Sequence, residues 1–443
     1  MADARGVVVT GVGLVLPTGV GLSAADPVFA GRSAVAYLNG SAALAGAIGA
    51  PVRGFVPTPG TEGHDRAVQM AVTAAEEAWR GARLGAERPA ADRVAVLVSL
   101  SKGGIFALSR WAGQGGATGS VGARRVSAPA AHQPAPGHQR GGYGDPPRSS
   151  RDPASRAEAE IAWADPSAAG RLLAARFGLA GPVVTPVTAC ASGGHALAWA
   201  AGLLRRGTVD AALAGAAEAS LHPLVLGGYR RMGVLADAGD DPAAAVRPFS
   251  ATRRGFAVGE GAGVLVLESA ASARRRGVQP LAHLAGWATG CHGAGLTDVD
   301  GSGAALGRLI RDALRRARTP IEAVDYVHAH GTATRVGDPA EARAIRAALG
   351  RAAEAVSVSS TKGSHGHLLG AAAAVETVLT VLAIGRSRVP PTANLTDPDP
   401  SIGLDCTPLR SRSRRVRRAV KIATGFGGQM AALVLAEAGE EDA

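Results

Sequence analysis

The chain has 443 residues, of which 47% are hydrophobic and 19% are charged, so it can bury a large core and does not have the composition of a disordered protein. Its formal net charge is +11, but the arginines are scattered and aromatic residues make up only 4%, which disfavours a nucleic-acid-binding module. A basic surface of this kind also attracts an acidic protein partner.

Neither a membrane span nor a secretory leader is predicted. No run of about 18 apolar residues free of charge occurs, and the start, MADARGVVVTGVG, lacks a basic segment followed by a cleavage pattern. Cys190, Cys291 and Cys406 are far apart and odd in number, which indicates neither a disulfide framework nor a zinc site. We therefore expect a cytoplasmic protein without a metal centre.

Strand and helix patterns alternate through the first part of the chain. GVVVTGVGLVLPTG predicts a strand that runs into a glycine turn, and HDRAVQMAVTAAEEAWRGAR has helical periodicity. DRVAVLVSL and PVVTPVTAC predict buried strands, and VDAALAG predicts a third after a helix that begins near Ala191. Strand, helix and strand in this order indicate a right-handed parallel crossover. Gly11 and Gly13 lack the third glycine of a dinucleotide loop, so no nucleotide cofactor is predicted.

The same pattern then recurs in the rest of the chain. GAGVLVLES closes a first half, DYVHAHG and VSVSST supply strands to a second, and KIATGFGGQMAALVLAE predicts a hairpin broken by glycine. We therefore predict two α/β halves, residues 1–270 and 271–443, with the chemistry where they meet.

One stretch, residues 111–156, does not fit either half. It is poor in apolar residues and rich in Gly, Pro, Arg, Ser and His, so it cannot bury enough surface to offset its ordering entropy. The composition predicts a flexible polar insert. His132 and His138 lie within it without cysteine or an acidic cluster, which favours a solvated loop over a metal site.

Cys190 is the candidate nucleophile. It lies in PVTACASGGHALAWA, where strand-like residues give way to a helix, and a thiol at a helix N-terminus is expected to favour the thiolate. The alternative is a small buried cysteine. Two later segments favour the nucleophile: HAHGTATRVGD and STKGSHGHLLGAAAAVE contribute His330, His367, Lys362 and Glu376.

Lysine is rare in this chain. Of 47 basic residues only Lys102, Lys362 and Lys421 are lysines, which leaves 47 − 3 = 44 arginines. A chain so biased towards arginine is expected to keep lysine where a compact ammonium is needed and a planar guanidinium does not fit.

These motifs together resemble those of a known family. TACASG, HAHGTAT, STKGSHGHLLGAAAAVE and GFGG at 425–428 are similar, in this order, to the signature of the β-ketoacyl-acyl carrier protein synthases. The resemblance implies the thiolase fold, with two similar α/β halves in a five-layered αβαβα core. It also implies a homodimer, or a heterodimer with a related subunit, and an acidic acyl carrier protein whose phosphopantetheine arm makes a cofactor unnecessary.

The resemblance also implies residue roles in a decarboxylative Claisen condensation. Cys190 would be the nucleophile, and its N–H with that of Phe426 would form an oxyanion hole. His330 and His367, as neutral imidazoles, would hold the malonyl thioester oxygen and stabilise the enolate. Lys362 and Glu376 would form a buried ion pair.

Glu376 and the residues assigned to substrate binding each have an alternative interpretation. Helical geometry places Glu376 about two and a half turns beyond His367 and on roughly the opposite side, so it would contact another segment or be a surface charge on an alanine-rich helix. Thr332 and Thr334 would bind the pantetheine arm or be strand-end hydroxyls. Lys102, with Phe426, is assigned to the acyl pocket, where a cation would shorten or repolarise the wall unless it turns outward.

Four departures from the family pattern bear on the substrate. They are Ser250 for an aspartate, Gly295 for a histidine, and Ser364 and His365 for a methionine and a threonine. They favour a specialised polyketide or fatty-acid synthase over the housekeeping enzyme.

Two other kinds of protein with this fold are alternatives. A biosynthetic thiolase should carry a second cysteine in GFGGQMAALVL, which has none. A non-catalytic partner of the chain-length-factor type normally lacks the nucleophile, so Cys190 favours the active subunit. A degenerate partner stays open, because the polar insert replaces sequence that in relatives helps to line the pocket and the dimer surface.

Overall fold

The computed structural model describes residues 6–38, 44–85, 87–106 and 165–439. The predicted polar insert at 111–156 lies outside the described residues, so its flexibility stays a prediction.

The strands and helices of the described residues alternate as the sequence predicts. The strands are β1 Val7–Leu16, β2 Gly19–Val20, β3 Ala36–Tyr37, β4 Ile48–Ala50, β5 Val94–Leu100, β6 Ala211–Glu218, β7 Val258–Gly259, β8 Gly261–Ser269, β9 Ala282–Cys291, β10 Tyr326–His328, β11 Ser357–Ser359, β12 Arg388–Val389, β13 Arg412–Ser413, β14 Arg418–Gly425 and β15 Gln429–Ala436. The helices are α1 Ala25–Phe29, α2 Arg66–Gly81, α3 Ala168–Phe177, α4 Ser192–Arg205, α5 Pro223–Arg231, α6 Ala270–Arg275, α7 Ala304–Arg316, α8 Gly337–Leu349, α9 Lys362–His365 and α10 Ala372–Gly385.

Nine strands form one continuous sheet in the order β11-β10-β14-β15-β9-β1-β8-β6-β5, and β2 pairs with β1 off this path. β5 and β6 pair in parallel, as the predicted crossover requires, and β14 and β15 form the predicted glycine-broken hairpin. Most of these strands are buried along their length, which explains why they are continuous apolar runs rather than alternating ones.

The sheet contains the same topology twice. The second half contains five strands, which lie side by side in the order β11, β10, β14, β15, β9. Counted along the chain, these are its third, second, fourth, fifth and first strands. The first half repeats this order, with β1, β5, β6 and β8 and with a single parallel bridge from Val183 to Val96 in place of the third strand. The repeats join where β1 and β9 pair antiparallel at Val8–His283 and Val9–Ala282. The predicted division at residue 270 falls at the start of α6, between them.

The helices form three layers around the two sheet halves. α2 and α3 cover the outer face of the first half, and α7, with α8 packed on it, covers the outer face of the second. α4 and α10 pack on each other and on the inner sheet faces, in the largest core cluster. This arrangement confirms the predicted five-layered αβαβα core.

One sequence interpretation changes with the structure, and the role of two glycines is explained by it. PVVTPVTAC makes only one sheet bridge, because Pro182 and Pro186 cannot donate to a ladder. The glycines of β1 serve packing: a Cβ on Gly11 or Gly13 would lie 2.1 or 1.8 Å from a carbonyl oxygen of α2. They allow α2 to approach the strand and form no nucleotide loop.

The N-terminal end of α4 packs closely against the first turn of α10 and against β15. A Cβ on Gly193 would lie 2.7 Å from the amide nitrogen of Ala374, and one on Gly194 would lie 2.9 Å from the Cβ of Ala431. Glycine at the start of α4 therefore brings Cys190, just before α4, next to the first turns of α10.

Candidate active site

Cys190 lies in a short 3-10 turn, Ala189–Ala191, that leads into α4. The hydroxyl of Ser192 accepts from the amide of Thr188 at 2.9 Å and donates to the carbonyl of Ala189 at 2.7 Å, which holds the turn. Ala189 has a φ of 49°, a left-handed conformation that costs a non-glycine residue about 1 kcal/mol or more. This turn places Cys190, 8% exposed, in the lining of a cavity of about 1260 Å³.

The resting thiol of Cys190 is neutral. Burial raises its pKa to about 11, although the ammonium groups of Lys102 and Lys362 act to lower it. The expectation that the helix N-terminus favours the thiolate is therefore wrong for the free protein, because desolvation of the sulfur outweighs these opposing charges.

His330 and His367 line the same cavity as Cys190. Their rings are 5.2 Å apart between centroids and are nearly perpendicular, at 83°. Burial, reinforced by the nearby Lys362 ammonium, holds the pKa of both imidazoles well below the usual range. Both rings are therefore neutral at physiological pH, and each carries one N–H that can donate to a substrate oxygen.

The backbone around both histidines is fixed by buried groups. Glu341 accepts from the amides of His330 and Gly331 at 2.5 and 2.7 Å, and Lys362 donates to the carbonyl of His330. His367 donates its amide to Ala257 at 2.7 Å, and the ring of Phe256 contacts its imidazole edge-on at 4.9 Å. The backbone that carries both imidazoles is thus fixed before any substrate binds, while the Nδ1 atoms of the two rings have no hydrogen-bond partner among the described residues.

Glu376 lies between two lysines rather than at the surface. The Nζ of Lys362 is 2.5 Å from its Oε1, and the Nζ of Lys421 is 2.7 Å from its Oε2. Burial opposes ionisation of Glu376, yet the two ammonium groups hold its pKa well below the usual range. The structure therefore brings Lys362 and Glu376 together behind the histidines, as the resemblance implies.

The remaining substrate residues lie around the cavity. Thr332, Thr334 and Phe426 line it, and the two threonine hydroxyls are 3.1 Å apart. A Cβ on Gly425 would lie 2.8 Å from the amide nitrogen of Cys190. This close packing brings Gly425, directly before Phe426, against the backbone of Cys190, and the oxyanion hole of Cys190 and Phe426 stays a prediction.

Comparisons with known proteins identify the family. A model described as "Beta-ketoacyl synthase, N-terminal domain" matches residues 4–273, and "Beta-ketoacyl synthase, C-terminal domain" matches 281–396. The chain belongs to the β-ketoacyl synthase family.

Curated relatives and solved structures match over nearly the whole chain. A polyketide β-ketoacyl synthase 1 of Streptomyces halstedii is 34% identical over 97% of this chain and 98% of the relative, and 3-oxoacyl-[acyl-carrier-protein] synthase 2 of Coxiella burnetii is 32% identical over 98% and 99%. One solved structure is a type II polyketide acyl carrier protein in complex with its ketosynthase, bound to the hexaketide. It has a TM-score of 0.84 at 30% identity, and the match covers 98% of this chain and 99% of the neighbour's chain. The ishigamide ketosynthase/chain length factor has a TM-score of 0.82 at 28% identity, over 98% and 100%.

Family membership sets aside the thiolase interpretation, although a cysteine does lie beside the glycine loop. Cys291, at the end of β9, donates to the carbonyl of Gly427 at 3.1 Å. It is exposed and is not among the described residues that line the cavity.

Lys102 lies beside the site, close enough for its ammonium to act on the thiol of Cys190. It is not among the described residues that line the cavity; its Nζ lies 3.5 Å from the buried carboxylate of Glu218 and 3.0 Å from the hydroxyl of Ser101. Glu218 holds this ammonium at the edge of the site, and the assignment of Lys102 to the acyl pocket stays a prediction.

Sequence reasoning missed three buried charged residues at this site: Lys421, Glu341 and Glu218. Lys421 had a signal, because it is one of only three lysines in the chain. Glu341 and Glu218 had none, since their partners lie on other segments and follow no spacing rule.

Neither a metal-binding cluster nor a membrane-spanning helix occurs in the part of the chain that the structure describes. There, no group of three or more His, Cys, Asp and Glu side chains is placed to hold a metal ion. Among the same residues, no helix has the length and apolar character needed to cross a membrane.

Proposed function

We propose that this synthase condenses an acyl group held on Cys190 with a malonyl thioester, with loss of carbon dioxide, in a type II polyketide pathway. The observation that carries the proposal is the cavity in which one thiol and two neutral imidazoles meet. The proposed catalytic residues are Cys190, His330, His367, Lys362 and Glu376.

The first half-reaction transfers the acyl group. The sulfur of Cys190 attacks the acyl carbonyl, the carbon–sulfur bond to the carrier breaks, and the thiol proton leaves with the carrier thiol. Negative charge on the carbonyl oxygen would be stabilised by the N–H groups of Cys190 and Phe426. Because the resting thiol is neutral, its ionisation belongs to this step rather than preceding it.

The second half-reaction forms the new carbon–carbon bond. The carboxylate of the malonyl group leaves as carbon dioxide, and the electron pair moves onto the thioester as an enolate. His330 and His367 donate to the enolate oxygen, and their neutrality suits this role because each keeps an N–H without a formal charge. The enolate carbon then attacks the acyl-enzyme, and Cys190 is released and takes up a proton.

The proposed partner is an acidic acyl carrier protein, whose phosphopantetheine arm would enter past Thr332 and Thr334. A carrier seated on a ketosynthase in a structural neighbour supports this partner, and the net charge of +11 suits an acidic one. We propose further that the protein needs no cofactor of its own, acts in the cytoplasm, and assembles as a homodimer or with a chain-length-factor-type subunit.

A non-catalytic partner subunit is the second candidate, since a structural neighbour contains a chain length factor. The presence of Cys190 in the cavity lining, beside both histidines, favours the catalytic subunit.

Intact-mass analysis after incubation with acyl carrier proteins tests the proposal. The unchanged protein should gain the acyl mass, Cys190→Ala should not, and Cys291→Ala should gain it as the unchanged protein does. An acyl adduct on Cys190→Ala, or none on any form with a panel of loaded carriers, would contradict it.

A further inference from the structure

We propose that Lys421 is a positioning residue that fixes the backbone of His330 for enolate stabilisation. The inference rests on the proposed function and assigns a role to a residue that the family resemblance did not supply.

Lys421 binds the end of the strand that carries His330. It lies on β14, which pairs in parallel with β10, and Lys421 itself is opposite His328. Its Nζ is 3.3 Å from the carbonyl of His328 and 3.2 Å from that of Ala329, and it also donates to the carbonyl of Ile422. A single ammonium thus holds two consecutive carbonyls directly before the catalytic histidine.

Other buried charges complete this restraint. Lys362 binds the carbonyl of His330, and Glu341 binds the amides of His330 and Gly331. From 328 to 331 the backbone is therefore held by charged groups on three other elements: β14, α8 and α9. Only the imidazole of His330 is left to contact the substrate. The direction in which this ring points therefore depends on the position of the restrained backbone.

Charge balance gives Lys421 a second role. Glu376 is 0% exposed and contacts both lysines, so the loss of either leaves part of its charge uncompensated. With Glu341, the group contains two ammonium and two carboxylate groups. A rearrangement of Glu376 after the loss of Lys421 would move Lys362, and through it the carbonyl of His330.

The choice of residue supports a specific role. Lys421 is 1% exposed, in a chain that uses arginine at 44 of 47 basic positions. A compact ammonium can reach three carbonyls and a carboxylate from one point, whereas a planar guanidinium cannot. Of the three lysines, two contact Glu376 and the third contacts Glu218 near the nucleophile.

The test compares two half-reactions in Lys421→Met. We expect carbon dioxide release from malonyl carrier protein to fall by about tenfold to a hundredfold, and acylation of Cys190 to fall far less, because only the enolate step uses His330. Ile422→Val is the matched control: it trims a buried neighbour on the same strand, on the face away from Glu376, and should leave the ratio of the two rates unchanged.

The outcomes separate the two proposals. Carbon dioxide release and acylation that fall equally in Lys421→Met, or that both stay unchanged, overturn the role of Lys421 alone. Absence of both reactions in the unchanged protein overturns the proposed function and this inference with it.

A second measurement needs no variant and serves if Lys421→Met fails to fold. Burial lowers the pKa of Lys421 to about 8, and the charged groups facing it are Glu376, Glu341 and Lys362, with His328 neutral. The unchanged protein should lose carbon dioxide release as the pH rises through about 8, while acylation still increases. Carbon dioxide release that holds or rises through that range overturns the inference.

Discussion

The two repeats use the same backbone turn for different chemistry. In the first, the 3-10 turn Ala189–Ala191 precedes α4; in the second, Leu369–Ala371 precedes α10. The first residue of each turn is left-handed, with φ 49° at Ala189 and 45° at Leu369. The middle residue is Cys190 in one turn and a glycine in the other. The fold thus repeats the strained turn, but only one copy carries a nucleophile.

The surroundings of the two turns differ in charge. The second repeat buries Glu376 and Glu341 with Lys362 and Lys421 around the strand that bears His330, whereas the first places a neutral thiol near the carboxylate of Glu218 and its partner Lys102. A neutral thiol needs no counter-charge, but each buried ion needs a partner. We infer that acyl transfer depends mainly on the first repeat and decarboxylation on the second. Changes confined to one repeat should therefore separate the two half-reactions.

The largest expected effect is on stability, from breaking the charge balance of the second repeat. Glu376→Ala leaves two buried ammonium groups without their carboxylate, and we expect the free energy of unfolding to fall by about 3–5 kcal/mol. Urea denaturation followed by circular dichroism measures it. Glu437→Ala, which breaks a more exposed pair with Arg415, should cost about 1 kcal/mol or less. Equal losses of unfolding free energy in the two variants would show that the buried ion cluster stabilises the protein no more than an exposed pair does.

His330→Ala tests whether decarboxylation and acylation depend on different repeats. Loss of one donor to the enolate oxygen should lower carbon dioxide release by about a hundredfold to a thousandfold, since each such donor is typically worth about 3–4 kcal/mol. Acylation of Cys190 should be harmed much less. Radiolabelled malonyl carrier protein measures the first rate and intact mass the second. A matching loss in both rates would break the proposed division.

Some residues of this site could be predicted from the sequence and others could not, for a physical reason. Cys190, His330, His367 and Lys362 lie in short contiguous motifs, so local pattern was enough to find them. Lys421 and Glu341 act through partners on other strands and helices, and no local spacing encodes such contacts.

The fold shows the same limit. Strand and helix types followed from periodicity, but the single bridge at Val183, in place of a full strand, depends on two prolines and on a neighbouring strand. The neutral state of Cys190 was mispredicted for a related reason, because burial is a property of the whole fold.

Gly193→Ala tests the contact through which the repeats cooperate. The new methyl would lie 2.7 Å from the amide nitrogen of Ala374, so α4 and α10 must separate, at an expected cost of about 1–3 kcal/mol. Both half-reactions should decline together, as shown by the same two assays. Gly202→Ala on the same helix has only the flexible end of Arg206 nearby and should be neutral or slightly stabilising. A fully stable, active Gly193→Ala variant would contradict the packing argument.

The smallest effect concerns the ionisation of the nucleophile. Because burial raises the pKa of Cys190 to about 11, its alkylation by iodoacetamide should keep accelerating as the pH rises from neutrality towards that value. Peptide mass spectrometry in a Cys291→Ser background isolates the signal from the exposed cysteine. A rate that levels off near neutral pH would indicate a stable thiolate, and it would mean that the helix N-terminus outweighs burial in setting the pKa of Cys190.

The most direct test of the division between repeats is carbon dioxide release from malonyl carrier protein by Cys190→Ala. This variant removes the proposed nucleophile and leaves His330, His367 and their supporting charges in place. We expect acylation to disappear while carbon dioxide release stays within about tenfold of the unchanged protein, since the enolate donors are intact. Loss of carbon dioxide release together with acylation would contradict it.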